Sequence, residues 1–167
     1  YIIGGDGPPP RLHALPEVLD RTWERLAPAM DGSGASFEDY FVPCPMEPGT
    51  PVEIAGCRME CRRTKHSIPT AGLLLDDGQG CLGWSSDTEF DPDHIEWLAR
   101  ADCIVHECGI GGNHTTYDQL RSLPESVQAR IRLIHMPDGF EPPDAALVPL
   151  REGELLEIRH RVDDSGR

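Results

Sequence analysis

The chain has 167 residues, the length of one domain with a sizeable core. It carries 15 Lys+Arg against 29 Asp+Glu, a net charge of -14, and so lacks the overall basic balance of most nucleic-acid binders. No apolar run is long enough to span a bilayer and no signal peptide stands at the start, so no membrane role is expected.

Tyr1–Ile3 reads as a short strand ending at Gly4-Gly5, followed by a turn through Asp6-Gly7 and Pro8–Pro10. Pro16 opens a helix to about Met30, with Val18, Leu19, Trp23, Leu26 and Ala27 at helical spacing. Asp31-Gly-Ser-Gly ends it. The Pro-rich stretch from Phe37 to Pro51 reads as surface loop anchored by Phe37, Tyr40 and Phe41. Val52–Ile54 and Cys57–Thr64 read as two strands around Ala55-Gly56. In the second of these, Met59 and Cys61 alternate with Arg58, Glu60 and Arg62, which predicts one wet face. Ala71–Leu75 and Cys81–Trp84 form a hairpin. Asp91 is the N-cap of a helix with Pro92 at its first position and Ile95, Leu98 and Ala99 inward. Ala101–His106 and Ile131–His135 are buried strands separated by helices over Thr115–Leu123 and Pro124–Arg130. Ala146–Leu150 and Leu155–Ile158 are expected to close the chain as a hairpin. Strands first, then alternating helix and strand, fit an α/β (α+β) arrangement of sheet layers with helices outside.

Six cysteines lack Cys-x-x-Cys pairing, which speaks against a structural zinc knuckle. Buried free thiols are the expectation, and with them a reducing, cytoplasmic compartment.

The chemistry concentrates between Lys65 and His135. Lys-His-Ser-Ile-Pro stands at 65–69, Gly-Trp-Ser-Ser-Asp-Thr at 83–88, His-Glu-Cys at 106–108, Asn-His-Thr-Thr at 113–116 and Leu-Ile-His-Met at 133–136. Each block sets a metal ligand or proton carrier beside an apolar run. A carboxylate and imidazoles delivered from separate strand ends suit a Zn²⁺-type site. Singly, each has a plainer reading: Asp87 as a turn residue, His66 and His135 as strand-end histidines, and Asn113-His114-Thr115 as a helix cap. Together they favour metal. His13, His94 and His160 sit in polar contexts and receive no role; His106 could support the site or merely end its strand.

These blocks, in this order, resemble the back half of the metallo-β-lactamase fold, and most nearly its ribonuclease Z-like branch. The resemblance implies an αββα sandwich. It implies metal ligation by His66, Asp87 and His135, with Asp87 bridging two ions, Zn expected and Fe or Mn also suitable. Glu107 and His114 are similar to the branch's His-Glu-Ala-Thr and His-Ser-Thr elements, which implies that Glu107 orients His114 and that His114 protonates the leaving group. A carboxylate partner fixes an imidazole's tautomer and favours its charged form. Ser86 stands where the family usually has Gly. The family's His-x-His-x-Asp-His loop does not occur in these residues, so 1–160 reads as the C-terminal portion of such a domain, incomplete at the N-terminus, and 161–167 as a frayed tail. Three ligands without that loop are expected to hold metal poorly.

The implied activity is hydrolysis of an ester or phosphodiester by metal-bound hydroxide. The alternatives are an iron oxidoreductase of the same fold and a non-catalytic domain kept for its surface. Only 21 positions separate His66 from Asp87, which leaves no room for the arm that bacterial ribonuclease Z enzymes insert there. A small-molecule substrate is therefore expected rather than structured RNA, with a local basic strip of Arg58, Arg62, Arg63 and Lys65 as the feature that would argue otherwise. A homodimer stays open.

Overall fold

The computed structural model describes residues 7–30 and 34–161. The chain divides into two compact units, Tyr1–Thr50 and Pro51–Arg167. The strand expected at Tyr1–Ile3 lies outside the described residues.

In the first unit, β1 (Arg11–Ala14) and β2 (Val42–Pro45) form a parallel pair joined through α1 (Pro16–Met30). The helix has the predicted bounds. β2 replaces what the sequence suggested was irregular loop. Its prolines disguise it, because a proline cannot donate to a ladder. Here the even positions donate: Val42 N–H bonds Pro10 O at 2.9 Å and Met46 N–H bonds Ala14 O at 2.8 Å. Pro43 and Pro45 alternate with them and face away from β1, where no strand pairs among the described residues. The aromatic anchor forms as expected. Trp23 lies 6.3 Å from Phe37 and 5.7 Å from Tyr40, ring centre to ring centre. The Tyr40 hydroxyl donates to Met30 O at 2.8 Å, satisfying a carbonyl at the helix end.

The second unit is built on a seven-stranded sheet in sequential order: β3 (Val52–Ile54), β4 (Cys57–Arg63), β5 (Ala71–Asp76), β6 (Cys81–Trp84), β7 (Cys103–Glu107), β8 (Ile131–Ile134) and β9 (Val148–Pro149). The β3–β4 turn has φ of 53° at Ala55 and 84° at Gly56, the signs a tight hairpin turn of the primed type requires. β3 to β6 pair antiparallel; β6 to β9 pair parallel. α2 (Pro92–Leu98) makes the β6–β7 crossover, and α3 (Tyr117–Arg121) with α4 (Glu125–Gln128) makes the β7–β8 crossover. Leu98, Ala101, Ile104, Leu120, Ile131 and Leu133 form the centre of the core between sheet and helices. Gly83 lets α2 sit close, since a Cβ there would lie 3.2 Å from both Ala101 and Leu98.

That change of strand direction positions the site. β6, β7 and β8 all end at one edge of the sheet. β5 runs opposite to β6 and therefore starts at that edge, so the β4–β5 loop holding His66 lies there too.

Three expectations change. The closing hairpin does not form: β9 adds only two residues, parallel to β8, and the segment after Arg151–Glu154 has no regular structure. It crosses instead to the β5–β6 turn, where His160 N–H bonds Gln79 O at 2.6 Å. Gly80 makes room, for a Cβ there would lie 2.5 Å from Ile158 O. Arg161, expected to be frayed, donates its N–H to Asp102 Oδ1 at 2.9 Å. Nor is Glu60 on a wet face. It is buried, and Arg100 grips it through two hydrogen bonds of 2.9 and 2.8 Å while Trp97 Nε1 donates at 3.0 Å. Alternation along β4 could not reveal that α2 would cover this charge.

Cys44, Cys57, Cys81, Cys103 and Cys108 are free thiols, and burial pushes those of Cys81 and Cys108 up to about 11. Among the described residues no helix is long and apolar enough to cross a membrane.

The Arg100 hydrogen bonds hold the Glu60 carboxyl below its ordinary 4.5. A lowered folded-state value stabilises the fold above pH 4.5, and the contribution is lost as pH falls through the lowered value. Glu60→Gln is expected to reduce unfolding free energy by about 2 kcal/mol near neutral pH, the scale of hydrogen bonds to a charged group. Urea denaturation should also find a shallower acid-side loss in the variant.

Candidate metal centre

Asp87 follows β6 after Ser85-Ser86, Glu107 ends β7 and His135 follows β8, while His66 and His114 arrive on loops. The ladder extends past the strands toward them, with Ser85 N–H to Val105 O and Cys108 N–H to Ile134 O each at 2.9 Å. Two residues leave regular geometry here. Ser86 has φ of 55° and His135 has φ of 56°, both left-handed. These bends begin the departure from the strand direction at Asp87 and His135. They also account for the glycine usual at position 86, since only glycine adopts this conformation without penalty.

All five residues singled out from the sequence converge. Asp87 presents one oxygen to each side: Oδ1 lies 3.2 Å from His135 Nδ1, and Oδ2 lies 4.0 Å from His66 Nε2. The His114 ring is centred 5.3 Å from that of His66 and 5.2 Å from that of His135. One ligand atom each from Asp87, His114 and His135 falls within 4.8 Å of the others. His114 thus stands in this group, where the resemblance implies a proton-carrying role, while His66, expected as a ligand, lies outside it with Nε2 4.0 Å from Asp87 Oδ2.

Hydrogen bonds set the imidazoles' orientations. His66 Nδ1 faces Asn113 O at 3.1 Å, so it donates there and leaves Nε2 with a free lone pair toward Asp87. His114 Nδ1 donates to Glu107 Oε2 at 2.6 Å and likewise leaves Nε2 unengaged. Bonding one ring nitrogen to frame the other is how ligand and catalytic histidines are oriented. The donor set fits divalent cations: imidazole nitrogens of fixed tautomer surround a carboxylate whose two oxygens face different histidines.

Glu107 is 1% exposed, and a buried carboxylate must be satisfied. Besides His114 it accepts the Thr88 N–H, and Oε2 stands 3.4 Å from His135 Nδ1. The surrounding frame went unrecognised in the sequence. The Glu107 N–H donates to Ser85 Oγ at 2.9 Å, and Thr115 Oγ1 donates to Thr88 O at 3.0 Å. His94, expected to be exposed, is 1% exposed; its Nε2 donates to Ser85 O at 3.1 Å and its ring stacks on Trp97. The signal was present as an inward helical set of 94, 95 and 98. Gly72 accommodates it, for a Cβ there would lie 2.5 Å from the imidazole. His106 is fully buried with Nδ1 donating to Glu107 O at 2.7 Å, and burial pushes it down to about 4, so it stays neutral behind the site. The basic strip does not form a continuous face. Arg58 and Arg63 fall on opposite sides of β4, and Lys65 pairs with Asp91 at 3.0 Å.

This fold is the metallo-β-lactamase fold. The metallo-β-lactamase fold protein YhfI of Bacillus subtilis matches with a TM-score of 0.60 at 14% identity, over 83% of this chain and 57% of that one. The short form of human tRNase Z, ELAC1, matches at 0.56 and 14%, over 78% and 62%. Within that class, residues 5–151 match the family model of the anti-Pycsar protein Apyc1, and the chain belongs to that family. The Apyc1 of Saccharibacillus brassicae is 41% identical over 137 residues, 76% of this chain and 56% of that protein. The cGMP-dependent 3′,5′-cGMP phosphodiesterase A of Dictyostelium discoideum is 27% identical over 130 residues, 68% of this chain and 15% of that protein. The chain therefore spans only part of the length of these relatives.

Ser86→Gly is expected to raise unfolding free energy by about 1 kcal/mol, because it relieves a left-handed non-glycine residue. Chemical denaturation measures it, and an unchanged or lower midpoint would show that the serine side chain compensates for its backbone.

Proposed function

We propose that this chain forms part of a metal-dependent hydrolase of 3′,5′-cyclic nucleotides, with His66, Asp87 and His135 as metal ligands and Glu107–His114 as a proton relay. The observation that carries it is the buried Glu107 carboxylate 2.6 Å from His114 Nδ1, with Asp87 nearby facing His135 Nδ1 at 3.2 Å and His66 Nε2 at 4.0 Å. The kinship to phosphodiesterases and to Apyc1 proteins supports the substrate class.

Two divalent ions, zinc by the nitrogen-rich donor set, would supply Lewis acidity toward an attacking water and offset charge on the phosphate. The chain's own residues supply the rest. Asp87, whose two oxygens face His135 and His66, would help hold the ions. Glu107 accepts from His114 Nδ1 and so fixes the ring with Nε2 unengaged, from which a proton can be delivered to the departing ribose oxygen. Alkoxide is a poor leaving group, and its protonation is where such an acid matters most. Carbonyls of Asn113, Ser85 and Glu107 fix the rings of His66, His94 and His106, which limits reorganisation during the reaction. A net charge of -14 and the absence of a continuous basic strip among the described residues favour a small substrate over RNA.

The test is His114→Ala in the intact protein. Turnover of a cyclic nucleotide should fall by about 10²–10³-fold. Turnover of a p-nitrophenyl phosphodiester, whose leaving group needs no proton, should fall far less, and bound metal should be unchanged. Loss of metal would make His114 a ligand instead, consistent with its distance from Asp87 and His135. Equal loss on both substrates would remove the proton relay.

A further inference from the structure

Thr115 has no exposure, and its hydroxyl reaches across 27 positions of sequence to donate to Thr88 O at 3.0 Å. Thr88 is buried as well and gives its own N–H to Glu107 Oε1. Glu107 Oε2 accepts from His114 Nδ1 at 2.6 Å, and His114 is the residue before Thr115 in the chain. The four residues therefore close a ring, in which three hydrogen bonds and one peptide link return to the starting point.

The ring is braced from outside. The Thr64 hydroxyl donates to Asp87 O at 2.7 Å and Glu89 N–H bonds Lys65 O at 2.7 Å, so the chain is held on either side of Thr88. Glu107 is paired with Ile134 of β8, and its N–H donates to Ser85 Oγ at 2.9 Å. Thr115 O accepts the Gly109 N–H at 2.8 Å, and Thr116 then caps α3. Thr88 and Glu107 are thus fixed points, and His114 is the member carried by a loop. A buried hydroxyl needs an acceptor wherever it lies. The acceptor that Thr115 takes belongs to the residue whose amide holds the carboxylate partner of His114.

We infer that Thr115 is a positioning residue for His114: its hydroxyl ties the His114 loop to Thr88 and so holds the imidazole in register with Glu107. The consequence for turnover rests on the cyclic-nucleotide reading above; the placement of the imidazole does not. Without the hydroxyl the loop keeps its Gly109 bond, but His114 is free to shift against the carboxylate. A displaced proton donor slows the transfer, because that step needs its heavy atoms within hydrogen-bond reach. The loss therefore falls on the chemical step and leaves substrate binding alone.

The experiment uses the intact, metal-loaded protein. It compares wild type with Thr115→Val, which keeps the shape and loses the hydroxyl, and Thr115→Ser, which keeps the hydroxyl. Thr115→Ala stands in should the valine variant not fold. In Thr115→Val, kcat for a 3′,5′-cyclic nucleotide should fall about tenfold with KM within about twofold, and Thr115→Ser should keep the wild-type rate. Turnover of a p-nitrophenyl phosphodiester and the bound metal should stay with the wild type. Added to His114→Ala, Thr115→Val should cost nothing more, because the two residues act as one unit. The second readout needs no turnover: the ¹⁵N shifts of the His114 ring report how its two nitrogens share the proton. Wild type and Thr115→Ser should give the same pair of shifts, and in Thr115→Val the two should approach each other. The inference fails if Thr115→Val keeps the wild-type ring shifts, loses both substrates equally, or is matched by Thr115→Ser. Wild type that does not turn over the cyclic nucleotide overturns the proposed function, and the ring shifts then decide the placement of His114 by themselves.

Discussion

A carboxylate sealed from water at the end of a central strand is the constraint on which the rest of the site depends. Glu107 has almost no exposure, so its oxygens must find donors inside the protein, and they find the Thr88 amide and the His114 ring. Those two bonds join three separate segments: the loop carrying Asp87, the end of β7, and the loop carrying His114. The Glu107 amide in turn donates to Ser85, whose carbonyl receives buried His94. Stability and chemistry are thus linked here, because removing any member leaves another buried group without its partner.

The sheet brings the segments into reach. Its antiparallel part places the His66 loop at one edge, and its parallel part aligns the ends of β6, β7 and β8 at the same edge. No long-range loop is needed to gather five candidate site residues scattered over seventy positions of sequence. Left-handed backbone at Ser86 and His135 completes the turn into the site, a local strain that the surrounding ladder and the Glu107 network hold in place.

Much of this could be read from residue order. Hydrophobic runs bounded by turn residues located β3 to β8, and Asp91-Pro92 marked the start of α2 by its capping chemistry. The five site residues stood out because four follow an apolar run or a glycine-rich turn and His66 precedes an apolar strand, and the resemblance gave them roles. What escaped was set by tertiary contact. β2 hid behind prolines that only an open edge tolerates. Glu60 looked like a solvent residue until α2 brought Trp97 and Arg100 onto it. His94 looked polar and exposed because a glycine on β5, far away in sequence, makes the space for its ring. The last segment showed strand-like alternation at Leu155–Ile158, but Arg161 and His160 bind Asp102 and draw the chain across the sheet end instead.

The central claim is that this sheet edge holds divalent metal through imidazole and carboxylate ligands. X-ray absorption at the zinc edge, on the intact protein purified without added metal and reconstituted with zinc, measures this directly. Only nitrogen and oxygen scatterers at about 2.0–2.2 Å are expected, with the signal lost in Asp87→Asn and His135→Ala. Sulfur scatterers at about 2.3 Å, or a spectrum indifferent to both substitutions, would place the metal on the cysteines or elsewhere and contradict the account.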